Sequence, residues 1–197
     1  MKELPWIAEL KRHLGLSEVV GSRHNPTILQ WHSDMKQFSD AKPSWFKDDE
    51  TPWCGLAVGH ALGVAGRYVI KDWYRAGAWD DDSKMTRLKK PAYGAIAVKK
   101  RVGGNHVFFI VGKNAKGQIM GLGGNQGNKI SIIPFNLSDI HAIMWPSLWA
   151  NGQCVKSEPL AAKYDLPVVD ATGKAGGSEA CPLWSFAMLE SPKLKSV

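Results

Sequence analysis

Cys54 is the residue whose type and position most favour nucleophilic chemistry. Thr51 is predicted to cap a helix and Pro52 to occupy its first position, which places Cys54 in the first helical turn. The free N–H groups and the dipole at such a helix end favour a thiolate and lower the thiol pKa. A small buried hydrophobic residue is the alternative role for a lone cysteine. We predict a reactive thiol at Cys54.

A nucleophilic cysteine needs an imidazole that takes its proton. Among the six histidines, His106 follows a Gly-Gly-Asn turn and opens an apolar run at 107–111 that predicts a strand. A base at the start of a central strand can face a helix that packs on the sheet. His60 lies about 240° around the axis of the Cys54 helix and faces away. His106 is therefore the predicted base.

The imidazole in turn needs a polar group that orients it. The stretch Gly123-Gly124-Asn125-Gln126-Gly127 stands at a later strand boundary. We expect Asn125 to accept a hydrogen bond from the imidazole and fix its tautomer. The same stretch is also typical of a plain turn.

Helices are predicted in the first third of the chain. Apolar residues at helical spacing indicate one helix over 4–16 and a second over 28–35, after a turn at 24–26. The Cys54 helix is expected to run towards Gly63 or Gly66. Glycines recur at every fourth position of this helix, and we expect this smooth stripe to press on a sheet.

From Pro91 onward the pattern changes to strands separated by glycine turns. The predicted strands are 95–98, 107–111, 118–122, 129–134 and 140–145. Helices followed by an antiparallel sheet define an α+β fold.

Composition excludes several classes of protein. The 197 residues are 44% hydrophobic and 22% charged, which argues against disorder, and no apolar run approaches the about 18 residues of a membrane span. The N-terminus lacks the apolar core of a signal peptide, so we expect synthesis in the cytoplasm. No histidine, cysteine or aspartate pair has metal-ligand spacing, so we expect no metal and no cofactor.

Charge is concentrated in the middle of the chain. The net charge is +7, and residues 54–146 alone carry 13 basic and 5 acidic groups. Such an excess favours a polyanionic partner: nucleic acid, a cell-wall polymer or an anionic membrane surface. No helix-turn-helix, zinc or RNA-binding motif accompanies it, so we expect no nucleic-acid partner.

Cys154 and Cys181 are expected to pair if the protein reaches an oxidising space.

Three motifs together resemble bacterial and phage cysteine peptidoglycan hydrolases related to the CHAP (cysteine, histidine-dependent amidohydrolase/peptidase) and NlpC-type domains. They are Pro52-Trp53-Cys54-Gly55, Gly104-Asn105-His106-Val107-Phe108 and Leu122-Gly123-Gly124-Asn125-Gln126-Gly127. The resemblance covers about residues 4–146 and implies a papain-like fold. We expect a hydrolase domain at 1–146 and a C-terminal extension of unknown role at 147–197.

The resemblance implies Cys54 as nucleophile, His106 as general base and then acid, and Asn125 as the orienting residue, with Gln126 less favoured. The implied reaction is cleavage of an amide bond of the peptidoglycan stem or crosslink, by an amidase or an endopeptidase. Peptidoglycan is the expected partner, with an immunity or delivery protein as a further one, after delivery by a holin, a virion or a secretion system. A non-catalytic wall-binding or phage structural module on the same fold is the alternative.

Overall fold

Helices precede the sheet along the chain, as the sequence predicts. The computed structural model describes residues 3–41 and 43–175. The α-helices in this part are α1 (Pro5–Lys11), α2 (Pro26–Asp34) and α3 (Cys54–Val64). Short 3-10 helices lie at Met35–Gln37, Ala76–Asp80, Leu137–Asp139 and Ala161–Tyr164. The α+β class is confirmed.

Antiparallel strands form the second half of the fold. They are β1 (Thr86–Arg87), β2 (Ile96–Arg101), β3 (Gly104–Lys113), β4 (Ile119–Gly123), β5 (Ser131–Phe135), β6 (Ile140–Trp145), β7 (Leu148–Ala150) and β8 (Gln153–Val155). The main sheet has the order β1-β6-β2-β3-β4-β5, and β7 pairs with β8 in a separate hairpin. The five predicted strands are confirmed as β2 to β6.

The sheet departs from a simple meander at β6. Strands β2 to β5 follow one another, but β6 crosses back and pairs with β2, with Ile96 opposite Met144. β3 is consequently a central strand, and Val107 to Ile110 within it are fully buried. His106 therefore stands at the start of a strand that the fold holds from both sides.

The glycine stripe of α3 does not lie on the sheet, and this prediction is wrong. A Cβ at Gly55 would overlap the carbonyl oxygen of Trp73, and one at Gly63 would overlap the ring of Phe38. The stripe instead lets two parts of the chain approach the helix backbone: residues 73–74, and Phe38, which follows the 3-10 helix at Met35–Gln37. Towards the sheet, α3 presents Ala57, which lies against Gly124.

The helix α1 is shorter than predicted, because the backbone leaves the helix after Lys11 and reaches a left-handed turn at Gly15. α2 begins at Pro26, a residue predicted to belong to the preceding turn, and the Asn25 side chain accepts a hydrogen bond from the Thr27 N–H at 2.9 Å. None of the helices in the described part of the chain has the length and apolar character that a membrane crossing requires.

The first part of the C-terminal extension packs against the rest of the fold. Leu148 in β7 forms a bridge with Arg67, Val168 lies beside Lys113, and Val169 is buried in the core. Residues 147–175 therefore pack on the domain predicted at 1–146 and contribute Val169 to its core. Residues 176–197 lie outside the described residues. They include Cys181, the predicted disulfide partner of Cys154.

Candidate active site

Cys54 is the first residue of α3. The predicted cap is wrong by two residues: Trp53 is the N-cap, and Thr51 is engaged elsewhere, with its N–H and hydroxyl both donating to Asp48 at 2.7 Å. Within α3, Ala57 donates the first helical hydrogen bond, to the Trp53 carbonyl. The N–H groups of the preceding residues, including Cys54 itself, are left for other partners.

The Cys54 thiol is almost enclosed, with 4% of the residue exposed. Burial raises its pKa above the ordinary thiol value, because a desolvated thiolate is unfavourable. The backbone N–H of Val107, the charge of Arg101 and the N–H groups at the helix start lower the pKa, but by less. The lowered pKa predicted from the helix end is therefore wrong. The raised pKa means that the Cys54 thiol is protonated at neutral pH.

His106 lies on β3 opposite Lys99 of β2, and it is buried. Its ring stacks on Phe108, with centroids 5.6 Å apart, and is tilted against Phe135 at 6.0 Å. Its Nε2 atom is 3.0 Å from Oε1 of Gln126. The ring is thus fixed by two aromatic neighbours and one polar contact.

The surroundings of Gln126 define the tautomer of His106. The Gln126 Nε2 group donates to the Ser131 carbonyl at 2.6 Å and lies 3.3 Å from the Gly121 carbonyl. Because these carbonyls only accept, the Gln126 amide must turn its Oε1 atom towards His106. Nε2 of His106 therefore carries the hydrogen, and Nδ1 of the neutral ring carries a lone pair. That Nδ1 atom is buried and has no hydrogen-bond partner among the described residues.

Gln126, not Asn125, makes the predicted hydrogen bond to the imidazole. Asn125 has a φ of 55°, so the chain turns at this residue, and the Gln126 side chain that follows reaches the imidazole of His106. The Gln126 N–H donates to the Lys129 carbonyl at 3.0 Å, which closes the turn. Gly123 leaves the space that the amide occupies, since a Cβ there would lie 2.9 Å from the Gln126 oxygen.

The pKa of His106 is lowered, chiefly because burial disfavours the imidazolium. The positive charges of Arg101 and Lys99 lower it further, and the hydrogen bond with Gln126 acts in the opposite direction. His106 is consequently a neutral base at neutral pH, which is the form that can accept a proton.

Cys54 lies close to the start of β3. The backbone N–H of Val107, which directly follows His106 in the strand, is near enough to lower the pKa of the Cys54 thiol. In the described part of the chain no hydrogen bond joins the thiol to the imidazole. Contacts between a nucleophile and its base are commonly long in an unliganded enzyme and shorten when the substrate binds.

A cleft of about 470 Å³ opens over Cys54. Residues 74–78 line one side of it, and residues 101 and 103–105 line the other, with Pro52 between them. The two sides touch where Gly77 approaches the Asn105 amide. Cys54 and Asn105 line this cleft, whereas His106, the next residue in β3, is not among the described residues that line it.

Glu18 is a positioning residue that sequence patterns miss. Its Oε1 atom accepts a hydrogen bond of 2.7 Å from Nε1 of Trp53, the residue before Cys54. Its own N–H donates to the Asn128 carbonyl at 2.9 Å, just beyond the Gln126 turn. One N-terminal segment thereby ties the start of α3 to the loop that holds the imidazole. No local signal predicts a contact over this sequence distance.

The other histidines of the described chain serve the packing of other regions. His60 stacks on Trp31 with centroids 4.8 Å apart, His32 stacks on Phe46, and His141 contacts Asp80 at 2.8 Å. Within the described residues, no group of three or more metal-ligating side chains is arranged to hold an ion.

Comparison of the chain with protein-family models, with curated proteins and with solved structures gives no match. The residues and their geometry therefore carry the functional conclusion.

Proposed function

We propose that the protein is a cysteine hydrolase that cleaves an amide bond of peptidoglycan, as an amidase or an endopeptidase, with a papain-like arrangement of its site. The observation that carries the proposal is the state of His106. Gln126 holds one ring nitrogen, and the other is unprotonated, buried and without a hydrogen-bond partner among the described residues. The next residue in the strand, Val107, has the backbone N–H that lowers the pKa of the Cys54 thiol. A thiol, a base and an orienting amide are the parts that acyl transfer requires.

The reaction begins with transfer of the Cys54 proton to Nδ1 of His106. The sulfur attacks the substrate carbonyl, and the Cys54 N–H at the helix start stabilises the oxyanion. Nδ1–H then protonates the leaving amine, the C–N bond breaks, and a thioester remains. Water gives a proton to Nδ1 as it attacks the thioester. The tetrahedral intermediate collapses, the C–S bond breaks, and the thiol regains the proton as the carboxylic acid leaves.

Gln126 acts through His106 and not on the substrate. Its carbonyl oxygen keeps the hydrogen on Nε2, so that Nδ1 is the acceptor, and it stabilises the imidazolium formed in the first step. The raised pKa of Cys54 and the lowered pKa of His106 mean that the resting pair is neutral. The mechanism therefore uses general-base activation at the moment of attack and not a preformed ion pair.

The test is hydrolysis of purified sacculi by variants of the two reacting residues. Cys54→Ala and His106→Ala are each expected to lose at least about 1,000-fold in rate, since each removes a reacting group. Cys154→Ala is the matched control, because Cys154 is half-buried in β8, outside the cleft, and forms no disulfide with a described residue. Circular dichroism checks that all variants are folded. A Cys54→Ala protein that clears sacculi at the wild-type rate contradicts the proposal.

Mass spectrometry of the same digests identifies the bond. A free lactyl group on the muramic acid indicates an amidase, whereas a new amine or carboxyl group within the stem or bridge indicates an endopeptidase. The masses thus decide between the two forms of the proposed activity.

A non-catalytic wall-binding or phage structural module is the second candidate, and the enclosure of Cys54 favours it. A thiol that is 4% exposed and whose pKa is raised by burial has the setting of an inert structural cysteine. Binding of sacculi that is unchanged in Cys54→Ala, together with no fragment release by the wild type, identifies this function.

A further inference from the structure

Two arginines at the cleft have no partner in the described part of the chain. Arg75 lies on one side of the cleft and Arg101 on the other, and both are exposed. Neither side chain makes an ion pair or a hydrogen bond with a described residue. By contrast, Arg67 donates to the Pro146 carbonyl, and Arg87 donates to the carbonyls of Asp80 and His141.

The described residues that line this cleft include no carboxylate. The positive charge of the two arginines is therefore not neutralised from within the cleft. Arg101 is close enough for its charge to act on both Cys54 and His106. A guanidinium offers a planar pair of donors that matches a carboxylate, and exposed arginines in a concave site favour an anionic ligand group.

We infer that Arg75 and Arg101 form a carboxylate-binding subsite, so that the preferred substrate is an amide flanked by a free carboxylate. The inference rests on the proposed function, because it places that carboxylate beside the bond that Cys54 attacks. A carboxylate held between the two sides of the cleft orients the scissile carbonyl over the sulfur. An amidated form of the same peptide loses this contact and is the poorer substrate.

Alkylation of Cys54 tests the subsite without any need for hydrolysis. Iodoacetate and iodoacetamide react with the same thiolate, but only iodoacetate carries a carboxylate. We take the rate constant for iodoacetate divided by that for iodoacetamide. Differences in the pKa of Cys54 cancel in this ratio. Rates are followed by mass spectrometry of the peptide that contains residue 54, and the same ratio for N-acetylcysteine is the reference.

In the wild type the ratio is expected to exceed the reference by about 10-fold, the scale of electrostatic attraction in a charged cleft. In the double variant Arg75→Gln/Arg101→Gln the ratio is expected to fall to the reference. Lys113→Gln/Lys116→Gln is the matched control. It removes two charges at the end of β3 that lies away from the cleft, and the ten residues of β3 span about 30 Å. This variant is expected to leave the ratio unchanged. A ratio that is the same in the wild type and the arginine variant overturns the subsite.

Hydrolysis of two synthetic stem peptides separates this inference from the proposed function. The peptides share one sequence, with free carboxylates in one and carboxamides in the other. A preference for the free carboxylates that is lost in Arg75→Gln/Arg101→Gln supports the subsite as part of the enzyme, and equal rates for both peptides overturn it. If the wild type cleaves neither peptide nor sacculi, the proposed function fails, and the alkylation ratio still decides whether the cleft binds a carboxylate.

Discussion

The imidazole of His106 is positioned by a glutamine whose own hydrogen bonds leave it one orientation. The Gln126 NH₂ group faces the Ser131 carbonyl, so its oxygen faces Nε2 of the ring. The polarity of this chain of hydrogen bonds makes Nδ1 the basic atom. At the residue scale, the proposed base is therefore positioned by a side chain that is not among the described residues lining the cleft.

Replacement of Gln126 by Met should lower kcat/KM by about 100-fold, because the imidazole loses tautomer control while the site keeps its volume. The hydrogen bond raises the pKa of His106, so its loss lowers that pKa further. The acid limb of the pH–rate profile, which reports the free base, should then move to lower pH. The measurement is kcat/KM on soluble wall fragments from pH 4 to 8.

Asn125→Gly is the control for this prediction, since glycine accepts the left-handed backbone found at residue 125. It should keep both the rate and the pH profile. A glutamine variant that loses rate without any shift of the acid limb would assign Gln126 a purely structural role.

At the scale of elements, α3 connects the cleft to the helical half of the fold through its glycines. Gly55 allows the Trp73 carbonyl to lie against the helix one residue after Cys54. The chain continues from Trp73 to the side of the cleft at 74–78. The position of that side is therefore set by close backbone packing on the same helix that carries the thiol.

Gly55→Ala should destabilise the protein by about 2 kcal/mol, because the new Cβ meets a backbone oxygen that cannot turn away. Gly59→Ala is the matched comparison: its Cβ would lie 3.0 Å from the flexible end of Met35, and alanine gains about 1 kcal/mol in helix propensity. Its net effect should stay within about 1 kcal/mol. Urea unfolding measures both, and equal losses in the two variants would contradict the packing argument.

Sequence patterns predict the elements here better than their contacts. Glycine turns and apolar runs suffice for β2 to β5, because each of these strands pairs with its neighbour in the chain. The pairing of β6 with β2 and the contact between Glu18 and Trp53 depend on long-range packing that no local pattern encodes. The roles of Cys54 and His106 are predicted from their local settings and stay predictions. The choice of Gln126 over Asn125 depends on one backbone angle, the left-handed φ of Asn125.

Across the whole molecule, the basic excess of residues 54–146 is spread over both ends of the sheet. Arg101 lies at the cleft, whereas Lys113 and Lys116 lie at the opposite end of β3. Net charge alone thus predicts attraction to an anionic polymer but not which charges meet the substrate. The positions of individual arginines relative to Cys54 carry that information.

Stability of the whole molecule should fall as the pH drops from 7.5 to 5.5. Burial lowers the pKa of His32, His60 and His106 below the ordinary value of 6.5, even though Asp34 and Glu9 act on His60 in the opposite direction. Below pH 6.5 the unfolded chain therefore binds protons that the folded protein does not, and each such proton favours unfolding. Urea unfolding at several pH values measures the fall.

In His60→Gln, which removes one of the three titrating groups, the fall in the free energy of unfolding over the same pH range should be smaller. A free energy of unfolding that is constant or higher at pH 5.5 would show that these histidines are hydrated in solution, and with them the base of the proposed site.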